Sequence, residues 1–502
     1  MWLELLLVFV IGGILFYRWG TEYDDHFKKR NIPHDKPVFL LGSARDVMMG
    51  RKSALQVMCE FHQKFSGSAY GAFDNRKPVL MIREPEMVKH ILIDDFNHFV
   101  NRNNCIPVNE ASLFTNSIFM MENLKWNEMR KTLNPVFRGN KMEQMLGLML
   151  KTVHENMSYF RDQHRDANAD GFELDVKDLT MRLTNDIIAS VAFGVEVNSL
   201  RDKENEFYMQ SQRAICFTPF QHMKIFFMML FPKIAEFFKM DFLGKKSSDY
   251  FFHLVMDAMK HREEENIQRP DMIDLLMEGR GRWSDIEIAA QCLIFLFAGF
   301  ETTSGAMGFA GHELMEYPEV QHKLFEEIEE VDKQLQGKPL TYEILQKMTY
   351  MDMVVSEVLR KWPVAMVSDR TCTSDYEYVS PISGDKISIK KGELMRIPTC
   401  ALQRDAKYFE SPAKLKPERF SAENKSKIET GTYLPFGLGA RNCIGKRFAL
   451  LEIKAFLFYV LRDYRLEASS KTCLPMELDM TSMHLQPNTG FWLQFKPRKI
   501  SI

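Results

Sequence analysis

The sequence predicts a mainly α-helical protein with a minor β part, preceded by a single apolar N-terminal helix. Three observations carry this reading. From about Trp126 onward, apolar residues recur at i, i+3 and i+4 through most of the chain. Short strand-like segments bounded by turn residues are confined to one early pair and a few late stretches. Residues 1–17 are apolar apart from Glu4.

In the N-terminal stretch, residues 5–17 form an unbroken apolar run, with Trp2, Tyr17 and Trp19 at its two ends, where amphipathic rings favour a bilayer interface. At about 1.5 Å per residue the run barely crosses a hydrocarbon core. A cleaved leader would need a basic start and small residues before the cut, but the chain has Glu4 and then Phe16, Tyr17 and Arg18. Arg18, Lys28, Lys29 and Arg30 follow the span, so a retained anchor (1–19) would leave the remainder in the cytosol. Pro33 and Pro37 punctuate a hinge (20–42), and 43–502 reads as one domain without repeats or a second linker.

Composition narrows the possibilities further. A chain of 502 residues, 45% hydrophobic, can bury a large core. Its 39 Phe and 33 Met suit a broad apolar pocket as well as core filling. A net charge of −2 argues against nucleic acid as a partner. Eight cysteines without a CxxC pair fit free thiols in a reducing compartment.

Within the domain, residues 70–73 and 78–82 read as strands around the turn-like 74–77, and a helix starts near Pro85. Strands return at 376–379 and 386–389, across Ser383-Gly384, and near 489–495. Ser284-Asp-Ile-Glu287 is a capping box, and no proline interrupts the chain from there until Pro318. That gives a helix of roughly 30 residues, about 48 Å long. At its centre Glu301 and Thr302 sit among Phe, Ala and Leu, and an acid beside hydroxyls in an apolar helix is costly without a use. Gly299 and a threonine hydroxyl bonding back to a carbonyl are expected to loosen the helix and open a niche for water.

Glu357 and Arg360 stand one turn apart on a helix ended by Pro363, with Pro417-Glu418-Arg419-Phe420 further on. By itself such a pair usually decorates a surface. Trp126 and Arg130, at i and i+4, share one helix face. Most informative is the run from Pro435 to Gly445, with the pattern Phe-Gly-x-Gly-x-Arg-x-Cys-x-Gly. Its glycines permit a tight loop, and Gly445 lets the following helix, expected over 445–461, approach a flat partner. Backbone N–H groups at that helix start favour a thiolate on Cys443.

This run resembles the haem-thiolate loop of the cytochromes P450, and the layout matches that family over essentially the whole chain after the anchor. Ala440 stands where the family often has proline, Gln403 where many members have histidine, and Leu415-Lys416 where Phe-Asp is common; all three touch scaffold. The resemblance implies that Cys443 ligates the iron of haem b. It implies that Thr302 hydrogen-bonds dioxygen, that Glu301 takes part in proton supply, and that Glu357, Arg360 and Arg419 form a buried structural ion-pair network. Trp126, Arg130, Arg370 and Arg441 would meet the haem propionates, with Phe436 and Gly445 also against the porphyrin. Substrate contacts would fall at Phe119, Phe217, Phe295, Phe300, Val364 and Leu485.

The implied reaction is monooxygenation of a lipophilic small molecule: a xenobiotic, an insecticide, or an endogenous hormone or lipid. The chain has no flavin or nicotinamide module, so electrons would come from NADPH–cytochrome P450 reductase, with cytochrome b5 a further candidate partner. Lys131, Lys446 and Arg447 are candidates for docking it. The implied location is the endoplasmic reticulum membrane, with the catalytic domain on the cytosolic face. Residues 217–242 are apolar for a connection and read equally as a second contact with membrane lipid or as a covered helix pair. Segments such as Leu359-Arg-Lys-Trp-Pro363 resemble insect microsomal enzymes related to drug-metabolising ones. Two alternatives stay open: a haem-thiolate isomerase or dehydratase, which commonly lacks the acid–alcohol pair, and a non-catalytic haem-binding sensor, which needs no proton relay.

Overall fold

The capping box at Ser284 forms as expected: its side-chain oxygen accepts from the Glu287 N–H, and the Glu287 carboxylate accepts from the Ser284 N–H at 2.8 Å. In the computed structural model, which describes residues 1–498 apart from 105, 167–170, 216–217, 270, 481 and 483, the helix this box starts spans Asp285–Glu316. Nearly every side chain from Ile288 to Met315 is buried, so the helix runs through the core of the molecule. The helix Val176–Ile188 lies against it. A Cβ at Gly299 would fall 2.7 Å from Ile188 Cδ1, so glycine is what lets the two backbones approach there. Thr184 and Thr180 donate their hydroxyls to the Phe300 and Ser304 carbonyls, each at 3.1 Å. The long helix continues unbroken through Gly299, which serves packing rather than loosening the turn.

The early hairpin is β1 (Ala69–Asp74) and β2 (Lys77–Ile82), turning at Asn75 in the left-handed region (φ 54°). The other strands are β3 (Phe172–Asp175), β4 (Ser368–Thr371), β5 (Tyr376–Val379), β6 (Lys386–Ile389), β7 (Leu394–Ile397), β8 (Tyr464–Ala468) and β9 (Trp492–Pro497). One sheet has the order β1-β2-β7-β4, with β2 and β7 parallel; a second runs β3-β9-β8, and β5 pairs with β6. The last strand begins at Trp492 rather than near Thr489, because the Phe491 N–H turns aside to donate to Asp175.

The N-terminal helix Trp2–Gly20 is solvent-facing along its length except at Gly20. It is one of two described helices long and apolar enough to cross a membrane; the other is the buried Asp285–Glu316 helix. Its C-terminal end is held: the Trp19 indole stacks on Phe231 at 5.3 Å, and Arg76 donates to the Trp19 carbonyl at 2.8 Å. The stretch read as a hinge is itself docked, with Phe27 1% exposed and Arg30 paired to Glu393 at 2.7 Å. The six cysteines among the described residues are free thiols; Cys105 and Cys216 lie outside them.

The helix after the cysteine loop spans Lys446–Asp463, starting one residue and ending two residues later than expected. Within it Glu452 is fully buried, and neither carboxylate oxygen has a hydrogen-bond partner. Burial pushes its pKa well above the carboxylate range. The native state therefore holds a proton that the unfolded chain releases near neutral pH. Stability is full below the ordinary carboxylate pKa and falls as pH rises towards the native one. Glu452→Gln is expected to raise the unfolding temperature at about pH 8 and leave it little changed near pH 4, as thermal unfolding across pH would show.

Candidate active site

The Pro435–Gly445 loop owes its shape to its glycines. Gly439 has φ +73°, and a Cβ there would fall 1.7 Å from the Leu92 carbonyl oxygen, so no other residue fits. The Cys443 N–H donates to the Phe436 carbonyl at 2.8 Å and closes the loop. Arg130 grips the preceding residue with two bonds of 2.9 Å, to the Asn442 carbonyl and side-chain oxygen. Cys443 is left open, although Arg441, two positions before it, is buried.

Although its surface is open, the protein crowding round the Cys443 sulfur desolvates it and pushes the thiol up, while the Gly445 N–H, Arg130, Arg102 and Lys446 pull it down. Burial outweighs them, so the helix-start N–H alone does not make a thiolate. A metal cation at the sulfur would reverse that balance.

Arginines gather beside this loop. Arg441 donates to the Val100 and Met121 carbonyls at 2.9 and 2.8 Å, and its guanidinium lies 4.1 Å over the buried Trp126 ring. Its Nη1 is buried without a partner, as is Nε of the buried Arg370. Burial and the like charges of Arg102 and Arg370 pull Arg441 down to about 9; burial and Arg102 pull Arg370 down to about 10. Among the described residues no carboxylate comes within 4 Å of Arg102, Arg370 or Arg441. Such a cluster suits a dianionic guest. The two propionates of haem would relieve its repulsion and supply the missing acceptors. Open space beside Gly445, where a Cβ would meet nothing within 4 Å, suits the porphyrin face. Arg102 went unnoticed in the sequence because nothing local distinguishes a lone arginine in a loop.

On the long helix, Ala298 and Thr302 are exposed while their neighbours along the helix are largely buried. They sit one turn apart and mark a face turned to an internal space. The Thr302 hydroxyl donates to the Ala298 carbonyl at 2.6 Å. Glu301 points elsewhere: it is buried and ion-paired with Lys177 of the Val176–Ile188 helix.

The network around Glu357 is closed. Arg360 donates Nε and Nη2 to the two Glu357 oxygens at 2.8 and 2.9 Å, and both side chains are completely buried. Arg360 also reaches the Gln403 and Pro412 carbonyls, each at 2.9 Å. Glu357 also accepts from Arg419 Nε at 3.2 Å and from the Lys416 backbone N–H at 3.0 Å. Gln403 donates to the Leu359 and Arg360 carbonyls at 3.0 Å and accepts the Leu434 N–H at 2.7 Å. It thereby ties the ion-pair helix Thr349–Lys361 to the start of the cysteine loop.

The expected substrate contacts scatter. Phe119 is 42% exposed with the Arg102 guanidinium 4.5 Å from its ring, and Val364 packs by Gly305. Phe295 stacks on Phe137 at 5.4 Å. Phe300 is fully buried near Tyr208, and Leu485 is in the core. Phe217 lies outside the described residues. Nothing in the sequence singles out Phe297, whose ring lies 5.7 Å from Phe114 and 5.9 Å from Phe242; Phe114 is itself 6.1 Å from Phe119. Phe114 and Phe242 are buried in the core and Phe297 packs partly buried against them, so in a chain with 39 Phe only tertiary structure shows which rings meet beside the long helix.

The family model for cytochrome P450 matches residues 32–495. The chain is 44% identical to probable cytochrome P450 9f2 of Drosophila melanogaster over 99% of each chain. It is 34% identical to cytochrome P450 9e2 of Blattella germanica over 98% of each. It is 33% identical to cytochrome P450 3A11 of Mus musculus, covering 99% of this chain and 97% of that one. With the cysteine loop, the arginine cluster and the buried ion-pair network in place, the chain belongs to the cytochrome P450 family of haem-dependent monooxygenases.

Proposed function

We propose that Cys443 would ligate the haem iron of a microsomal monooxygenase that oxidises lipophilic small molecules. One observation carries this best: an open cysteine stands beside buried arginines that lack anionic partners. Arg102, Arg370 and Arg441 would hold the propionates, with Arg441 stacked on the Trp126 ring, and Phe436 and Gly445 would lie against the porphyrin. Arg130 acts on the loop through Asn442. Bound haem supplies the reductive activation of dioxygen and the insertion of one oxygen atom, and the thiolate pushes electron density that favours O–O cleavage.

The chain's own part is placement and proton supply. Thr302 presents a hydroxyl to the internal space, and its back-bond to Ala298 fixes the orientation of the oxygen. Glu301, whose carboxylate is turned away and held by Lys177, is the neighbouring acid and would supply protons to Thr302 through water. This pairing favours a monooxygenase over an isomerase or a sensor. Lys177→Met is expected to lower kcat more than KM and to cost about 3–5 kcal/mol of stability, because it leaves a buried unpaired carboxylate. Lys177→Arg restores both. Steady-state turnover and denaturant unfolding read the two effects.

The partly buried Phe297 and the exposed Phe119, backed by the buried Phe114 and Phe242, support an apolar substrate such as a xenobiotic, hormone or insecticide. Residues 1–19 serve as the endoplasmic reticulum anchor, 20–42 as a docked connector and 43–502 as the cytosolic catalytic domain. Phe220, Met223, Phe237 and Phe238 are 71, 62, 80 and 69% exposed, which favours lipid contact over a covered helix pair. Lys131, Lys446 and Arg447 are exposed and suit an acidic reductase surface, with cytochrome b5 as a competitor for it.

Full-length protein reconstituted with NADPH–cytochrome P450 reductase should consume O₂ and yield a hydroxylated product from a lipophilic panel. Turnover that is independent of reductase and O₂, or no product across the panel, would overturn this reading.

A further inference from the structure

Where the Trp2–Gly20 helix meets the domain, a groove of about 530 Å³ is walled by Phe16, Trp19 and Phe231 on its apolar side and by Arg76, Lys77 and Lys233 on its charged side. The aromatic wall is fixed, since Trp19 and Phe231 stack within 5° of parallel. Arg76 is also fixed: it lies 4.2 Å from the Trp19 ring and bonds Glu22 at 2.8 Å. Asp74, the one acid in the lining, is held from behind by Arg396 at 2.7 Å. Lys77 and Lys233 are exposed, and among the described residues neither has an ion-pair partner. Two uncompensated cations thus face an apolar slot at the level of the interfacial Trp19, while Phe16 lies one turn deeper along the anchor.

We propose that this groove binds an anionic glycerophospholipid of the host bilayer, with its phosphate and charged headgroup between Lys77 and Lys233 and an acyl chain along Phe16 and Phe231. The proposal rests on the membrane reading of the Trp2–Gly20 helix and adds a headgroup-specific site to it. The chemistry separates the candidate lipids. A zwitterionic choline headgroup sets one anion against its own cation, whereas phosphatidylserine adds a carboxylate, so that its two anions match the two unpaired lysines. The apolar wall adds nothing for a free phosphate ion, so the site discriminates in favour of a lipid. A lipid seated there would bridge the anchor, the β1–β2 turn and the Pro219–Leu230 and Pro232–Phe237 helices, and so set the tilt of the domain on the membrane.

The test uses full-length holoprotein in vesicles of phosphatidylcholine doped with brominated lipid, with Trp19 fluorescence isolated by difference against Trp19→Phe. Brominated phosphatidylserine is expected to quench Trp19 at a mole fraction on the order of tenfold below that needed for brominated phosphatidylcholine. The preference should vanish in Lys77→Glu/Lys233→Glu, survive in Lys77→Arg/Lys233→Arg, and resist millimolar inorganic phosphate. Retained haem absorbance confirms that each variant is folded. Equal quenching by both lipids, or a preference that survives the charge reversal, overturns the site alone. Displacement by inorganic phosphate overturns its lipid character. Quenching by neither lipid overturns the membrane reading together with it.

Discussion

Arg360→Ala is expected to lower stability by about 3–5 kcal/mol and to yield protein depleted of haem. The effect is large because nothing can replace the lost group. Arg360 and Glu357 are both fully buried, and the guanidinium satisfies two carboxylate oxygens and two backbone carbonyls at once. Removing it leaves Glu357 with Arg419, a single bond of 3.2 Å from a partly exposed side chain, and one backbone N–H. Glu357→Ala should cost a similar amount by orphaning Arg360. The double mutant should cost clearly less than the sum, since the two residues share one interaction. Haem loss follows because Arg360 and Gln403 connect this helix to the cysteine loop through the Gln403 side-chain contact with Leu434. Denaturant unfolding and haem content read both effects. A loss below about 1 kcal/mol for either single variant would contradict the account.

Thr302→Val should reduce product formation by about 10²-fold while NADPH consumption continues, with substrate affinity and the haem spectrum unchanged. Valine keeps the shape and removes only the hydroxyl. The helix loses little, because the hydroxyl bonds a carbonyl of its own helix rather than a neighbouring element. The exposed position of Thr302 means that the removed group faces the internal space and not the core. Stoichiometry of NADPH used against product formed distinguishes this from a folding defect, which would lower both together.

What could be read from the chain divides along sequence separation. The Ser284 capping box, the 69–82 hairpin and the strands Tyr376–Val379 and Lys386–Ile389 lie where local chemistry put them, because caps, turns and alternation are short-range signals. The direction of Glu301 was not legible: a residue's neighbours on other helices depend on packing, and Lys177 is 124 positions away. Arg102 is hidden for the same reason, its role coming from the meeting of its own loop, strand β4 and the cysteine loop. Gln403 was noted as a departure from the family pattern, yet only the structure shows how its amide does the bonding, with two donors and one acceptor all used. Gly299, which the sequence alone suggests loosens the helix, is instead a packing contact, since its reason lies in Ile188 on a neighbouring helix.

The reduced, carbon monoxide-bound difference spectrum of the full-length holoprotein tests the central claim most directly. A strongly red-shifted Soret band of the thiolate type is expected for the wild type, and that band should be absent in Cys443→Ala although Arg102, Arg370 and Arg441 remain. A histidine-type Soret in the wild type, or a thiolate band that survives in Cys443→Ala, would contradict the assignment of Cys443 as the iron ligand.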